Sequence, residues 1–119
     1  MIPVNRRTKI FVYKEFVDMR SSYDSLCFKV QNTLKQDPFS GHMFLFINKK
    51  RNAIKCLCYD GTGFILLCKR LEKGTFFKIN PLHKKVIVMT QAEFSLYIDG
   101  GDINRRFLDS PREMKKNLM

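Results

Sequence analysis

The chain predicts an α+β domain built on an antiparallel sheet, and three observations carry that expectation. Apolar runs follow one another from Met43 to Ile79, each bounded by turn residues. The links between them are too short for parallel crossovers, which need a dozen residues or more. Ahead of them, Tyr23, Leu26, Cys27, Val30 and Leu34 recur at offsets of three and four, the spacing of an amphipathic helix. The expected product is a β-meander of about five or six strands, with one main helix packed on it and a short C-terminal helix.

Taken in order, Lys9 to Val12 reads as a short first strand. The main helix spans Tyr23 to Leu34, and Ser21 with Asp24 three residues on suggests an N-terminal capping device. Pro38 ends the helical region, because the residue before a proline is pushed out of the α conformation. The strands expected next are Met43–Asn48, Ala53–Tyr59, Phe64–Arg70 and Thr75–Ile79. Their links are Lys49-Lys50-Arg51-Asn52, Asp60-Gly61-Thr62-Gly63 and Glu72-Lys73-Gly74, all suited to hairpins. A further strand, Lys85–Met89, follows the Pro81-Leu82-His83 turn. Thr90-Gln91-Ala92-Glu93 matches a capping box that opens a short helix carrying Phe94, Tyr97 and Ile98, and Gly100-Gly101 stops it. Residues 1–103 thus form one domain, and 104–119 form a basic tail with few apolar anchors.

The 22 Lys+Arg against 11 Asp+Glu leave a net charge of +11, a surface that attracts polyanions, of which nucleic acid is the commonest large one. No apolar stretch is long enough to span a bilayer, and the first residues lack the apolar core of a signal peptide, so no membrane role is expected. A cytoplasmic location follows as the expectation. Cys27, Cys56, Cys58 and Cys68 then read as reduced thiols. Cys56-x-Cys58 shares one strand face, and Cys68 on the partner strand could lie near them. Without a second cysteine pair, however, these thiols read as apolar filler and not as zinc ligands. Asp18, Asp24, Asp37 and Asp60 all occupy helix-start or turn positions, and no phosphate-cradling glycine loop or nucleophile elbow is present. The expectation is a protein without cofactor, metal or catalytic residues.

The basic residues are the candidate site. Lys49, Lys50 and Arg51 crowd one hairpin tip, and Lys55, Lys69 and Arg70 lie on the strands beside it. Lys55 and Lys69 fall nearly opposite one another if the register allows, an arrangement that is relieved by an anion between them. Arg20 is a secondary candidate, as are the tail arginines. The aromatic residues Tyr59, Phe64, Phe76 and Phe77 suit base stacking in principle, although phenylalanine in an antiparallel sheet usually belongs to the core.

One ordered series of motifs carries a resemblance. It runs Asp18-Met19-Arg20, Asp24, Leu26, Asp37-Pro38-Phe39-Ser40-Gly41-His42, Lys55, Asp60-Gly61, Gly63, Lys69-Arg70-Leu71-Glu72, Gly74 and Phe76, then Thr90, Phe94 and Gly100 to Ile103. In these residues the chain resembles the TnpB-type accessory proteins encoded by the second open reading frame of the insertion-sequence family numbered sixty-six. That family is distinct from the RNA-guided nuclease sharing the label. It usually has Trp where this chain has Tyr59, and a basic residue and glycine where this chain has Ser21 and Ser22. The resemblance implies a role beside a separate, larger transposase that carries the strand-transfer chemistry, and it supplies no catalytic residues. The functional expectation is a non-catalytic accessory protein that binds DNA, such as the element ends, through the basic hairpin. The alternative is a protein–protein adaptor that bridges transposase components without touching DNA.

Overall fold

The computed structural model describes residues 5–79 and 86–100. The expected tail and its boundary at residues 103 and 104 lie outside them, as do Pro81, His83 and Lys85. The elements, in chain order, are β1 (Ile10–Val12), α1 (Tyr23–Asn32), β2 (Met43–Ile47), β3 (Ala53–Tyr59), β4 (Phe64–Arg70), β5 (Ile87–Met89) and α2 (Gln91–Ile98). The strands form one sheet in the order β4-β3-β2-β1-β5.

The α+β class stands, but the sheet is mixed and not a pure antiparallel meander. β2, β3 and β4 are joined by antiparallel hairpins, and β5 runs antiparallel to β1. β1 and β2, in contrast, are parallel, with Phe11 opposite Phe44. The reason lies in residues 13–42, a link long enough to carry the chain back along α1 before β2 begins.

Thr75–Ile79 forms no strand. After β4 the chain turns back over the sheet: the Leu71 N–H bonds the Asn52 carbonyl and the Phe76 N–H bonds the Arg51 carbonyl. These bonds draw Phe76 into the interior, where it stacks on Tyr97 with ring centroids 5.4 Å apart. β4 therefore remains a sheet edge.

The sheet separates two apolar layers, as the alternation of strand side chains requires. On one face Phe11, Phe44, Phe46 and Leu57 pack with Leu26 and Val30 of α1. On the other, Ile10, Val12, Leu45, Ile54, Cys56 and Cys58 pack with Phe76 and with Phe94 and Tyr97 of α2. β2 is buried along its whole length because both of its faces are covered.

The helix ends differ in how they are secured. Ser22, not Ser21, is the N-cap of α1, and its side chain makes no capping bond. The helix stops at Asn32, short of Leu34; Lys35 is left-handed (φ 55°), and the Gln36 N–H bonds the Val30 carbonyl. Leu34 is still buried against the sheet. The capping box of α2 forms as expected, with the Glu93 N–H on the Thr90 hydroxyl and the Thr90 N–H on the Glu93 carboxylate. Among the described residues no helix is long and apolar enough to cross a membrane.

Candidate nucleic-acid interface

The hairpin geometry gives the sheet two distinct ends. At one end lies the β2–β3 link, residues 48–52. Antiparallel pairing of β3 with β4 brings Lys69 and Arg70 to this end, opposite Ile54 and Ala53. The Val17 N–H bonds the Ile47 carbonyl, so Asp18 to Ser21 arrive here as well. All seven basic candidates therefore gather at the hairpin end, but they do not form one surface.

Lys49 and Lys50 are exposed on the tip, and Arg70 is exposed on the α1 face of β4. The side chains of these three make no hydrogen bond or ion pair to another described residue. Arg51 behaves differently. It closes the turn in a left-handed conformation (φ 56°), shored up by the Asn48 carboxamide, whose oxygen accepts from the Asn52 and Ala53 N–H groups. Its guanidinium lies 3.5 Å from the Phe76 carbonyl, on the α2 side.

Lys55 and Lys69 are not opposite one another. Lys55 pairs with Cys68 and Phe46, facing α1, whereas Lys69 pairs with Ile54, facing α2. Each ends on a backbone carbonyl: Lys55 Nζ donates to Ser21 O at 2.7 Å, and Lys69 Nζ to Ile98 O. Lys69 thus sits at the negative end of the α2 dipole, a favourable place for a cation. No anion is needed between them.

Arg20 is held by Asp18. Its Nε lies 3.1 Å from each carboxylate oxygen and its Nη2 2.7 Å from Oδ2, while its own N–H bonds Oδ1 at 2.8 Å. The Arg20 guanidinium, helped by that N–H, brings the Asp18 carboxyl down from 3.8 to about 2. With its folded pKa depressed, any contribution of the pair is present above the ordinary carboxylate range and is lost as pH falls through about 2. Followed by carboxyl NMR, Asp18 should titrate with a midpoint at about 2, and Arg20→Ala should raise that midpoint toward 3.8. An unchanged midpoint would show that the pair does not form.

The cysteines separate in the same way. Cys56 and Cys58 are buried on the α2 face, and burial pushes the Cys56 thiol far up. Cys68 is exposed and faces α1. Among the described residues no group of three or more His, Cys, Asp or Glu comes together to hold a metal.

Of the aromatic residues considered for stacking, Phe76 is core, Phe77 is exposed, and Tyr59 and Phe64 are half-buried. The opposite end of the sheet gathers turn-motif residues into a cleft. There the Asp37–His42 loop and the Asp60–Gly63 turn meet the chain entering β1. Asn5, Arg7, Thr8, Phe39, Ser40, Gly41, His42, Tyr59, Asp60 and Gly61 line a cleft of about 370 Å³.

Local bonds shape both of its walls. Asp37 accepts from the Phe39 N–H, Ser40 Oγ from the His42 N–H, and Gly41 takes the left-handed backbone (φ 87°) that glycine allows. His42 Nδ1 accepts the Lys9 N–H at 3.0 Å, which pins the loop to β1. Across the cleft, Asp60 Oδ1 accepts from Thr62 N, Gly63 N and Thr62 Oγ1, and these bonds hold its carboxyl below the usual range. The pairing pattern is the signal that would have found this cleft: the β2–β3 hairpin brings residues 42 and 60 to the same end.

The motif residues up to Gly100 lie among the described residues and those from Gly101 to Ile103 lie outside them, and comparison with known proteins agrees with the series they form. The family model described as IS66 Orf2 like protein matches residues 8–107. The uncharacterized protein y4jC of Sinorhizobium fredii is 35% identical over 105 residues, covering 88% of this chain and 89% of the relative. A second uncharacterized protein of that organism, y4hO, is 33% identical over 102 residues, covering 86% and 88%. No solved structure matches the chain. The motif series, the breadth of the family match and the near full-length relatives agree: this chain belongs to the IS66 Orf2-like family.

Proposed function

We propose that the protein is a non-catalytic, cytoplasmic accessory factor of insertion-sequence transposition, which contacts DNA through the hairpin end of its sheet while a separate transposase performs strand transfer. The observation that carries this reading is the trio Lys49, Lys50 and Arg70, whose side chains are exposed at one end of the sheet and bond no other described residue. Unpaired cations there neutralise phosphates and release counterions, the main source of affinity for duplex DNA. Arg51, Lys55, Lys69 and Arg20 support the trio. Their positive fields reach the same end, but their donors are engaged by Phe76, Ser21, Ile98 and Asp18.

Fluorescence anisotropy with labelled duplex from the element's own ends, beside a scrambled duplex of equal length, tests the proposal across a salt series. Steeply salt-sensitive binding, tighter to the true ends, is the expected result. Absence of binding near physiological salt would overturn it. That outcome would favour the adaptor reading, which has its own observation: β4 is an open edge, with Leu67 exposed on it, and open edges accept strands from other chains. Adaptor binding to the transposase would persist in high salt.

A further inference from the structure

We propose that the cleft between the Asp37–His42 loop and the Asp60–Gly63 turn receives an unpaired base of a single-stranded polynucleotide, stacked against Phe39. This site lies at the opposite end of the sheet from the basic hairpin and does not depend on the duplex-binding reading.

The first argument is the aromatic wall. Phe39, Tyr59 and Phe64 form a triangle with ring centroids 4.9, 5.0 and 5.2 Å apart. Tyr59 meets Phe39 edge-on at 69°, and its hydroxyl is fixed by a 3.0 Å bond to the Gly61 carbonyl. Phe39 is therefore held by neighbours, yet 55% of its surface is open to solvent. An exposed ring that is already ordered loses little entropy when a base stacks on it.

The second argument is the polar chemistry beside that wall. Because His42 Nδ1 accepts a backbone N–H, the neutral imidazole carries its hydrogen on Nε2. Ser40, Asn5 and Asp60 add acceptors and further donors, and Arg7 adds a cation. Arg7 and Asp60 balance one another across the lining, which suits a neutral planar ring with a polar edge better than a bare phosphate. Arg6 and Lys9, exposed beside Arg7, are placed for the flanking phosphates. The volume, about 370 Å³, lies in the range of small-ligand sites.

The other exposed aromatic rings lack the ring contacts that hold Phe39. Phe16 and Phe77 border a second cleft, lined by Val12, Ile47, Ile79 and Ile87 together with Lys14, Glu15, Arg51 and Lys78, but neither ring, nor Tyr23 or Phe28 of α1, packs on another ring among the described residues. Away from its ends, a duplex cannot present a stacking face to Phe39 without unpairing, so the site favours single strands.

The test uses the full chain with short single-stranded oligonucleotides of DNA and of RNA, each carrying one 5-iodouracil. Irradiation and peptide mass spectrometry then locate the adduct. The expected adduct falls on Phe39, Tyr59 or His42, and the strand that gives more of it identifies the natural ligand. It should persist when Lys49 and Lys50 are changed to Glu, which separates this site from the hairpin end. Phe39→Leu keeps an apolar side chain against Tyr59 and Phe64 but removes the stacking face. Single-strand affinity should fall about tenfold while duplex affinity stays within about twofold. Adducts confined to other residues, no adduct with either strand, or unchanged single-strand affinity in Phe39→Leu would each overturn the proposal.

Discussion

Phe44→Ala should destabilise the domain by about 3–5 kcal/mol, the cost of a large aromatic truncation in a packed interior. Phe44 is fully buried on β2, stacked 5.6 Å from Phe11 and opposite Leu57. Both flanking strands present large side chains to the same layer, so deletion leaves a cavity they cannot close without leaving the sheet. A domain of this size has a total stability of roughly 5–15 kcal/mol, so the loss removes a substantial share. In urea the unfolding midpoint should drop sharply with little change in slope. Phe28→Ala is the matched control. Its ring is 64% exposed on α1, and its removal should shift stability by no more than about 0.5 kcal/mol. Equal effects from the two substitutions would contradict the two-layer core.

The contrast between these two phenylalanines shows what the sequence could and could not convey. Helical spacing placed Leu26 and Val30 on the buried face of α1, and Phe28 fell between them. The short links Lys49–Asn52 and Asp60–Gly63 identified the β2–β3–β4 hairpins, since few chain paths are compatible with so few residues. The parallel β1–β2 pair was missed although its signal was present. A strand, a helix and a strand separated by residues 13–42 is the pattern of a crossover. Thr75–Ile79 misled for a different reason. Phe76 alternates like a strand residue, but its N–H bonds Arg51 across a turn and not a neighbouring strand. Tertiary closure overrode local preference there.

The candidate site divides along the same line. Charge is a property of composition, so a basic end was legible. Which cations remain available is a property of register and long-range hydrogen bonds. Lys55 and Lys69 differ by one face because Lys55 pairs with Cys68, an offset set by the four-residue Asp60–Gly63 link and therefore readable from it. Phe39 was legible as part of a turn motif. Its exposure and its contact with Tyr59 appear only once the two turns share one end.

Among substitutions at the hairpin end, reversing Lys49, Lys50 and Arg70 together to Glu should have the largest effect on DNA binding. If each contacts one phosphate, the slope of log affinity against log salt should become shallower by about 2.7, because each neutralised phosphate contributes about 0.9. Between 50 and 200 mM salt, wild-type affinity should then fall roughly 40-fold further than that of the variant. Reversal also adds repulsion, so the loss at low salt should exceed that of the corresponding alanine variant. The fold should be unaffected, since all three side chains are exposed and make no bond to another described residue. Reversing Lys55 and Lys69 instead should disturb structure before binding, because each is anchored to a carbonyl, at Ser21 and Ile98. The two sets therefore predict distinguishable signatures. The first lowers DNA affinity at constant thermal stability, and the second lowers thermal stability as well. If the exposed trio left both the affinity and the salt slope unchanged, the hairpin end would not be the DNA-contacting surface, and its charge would serve only to keep the sheet soluble.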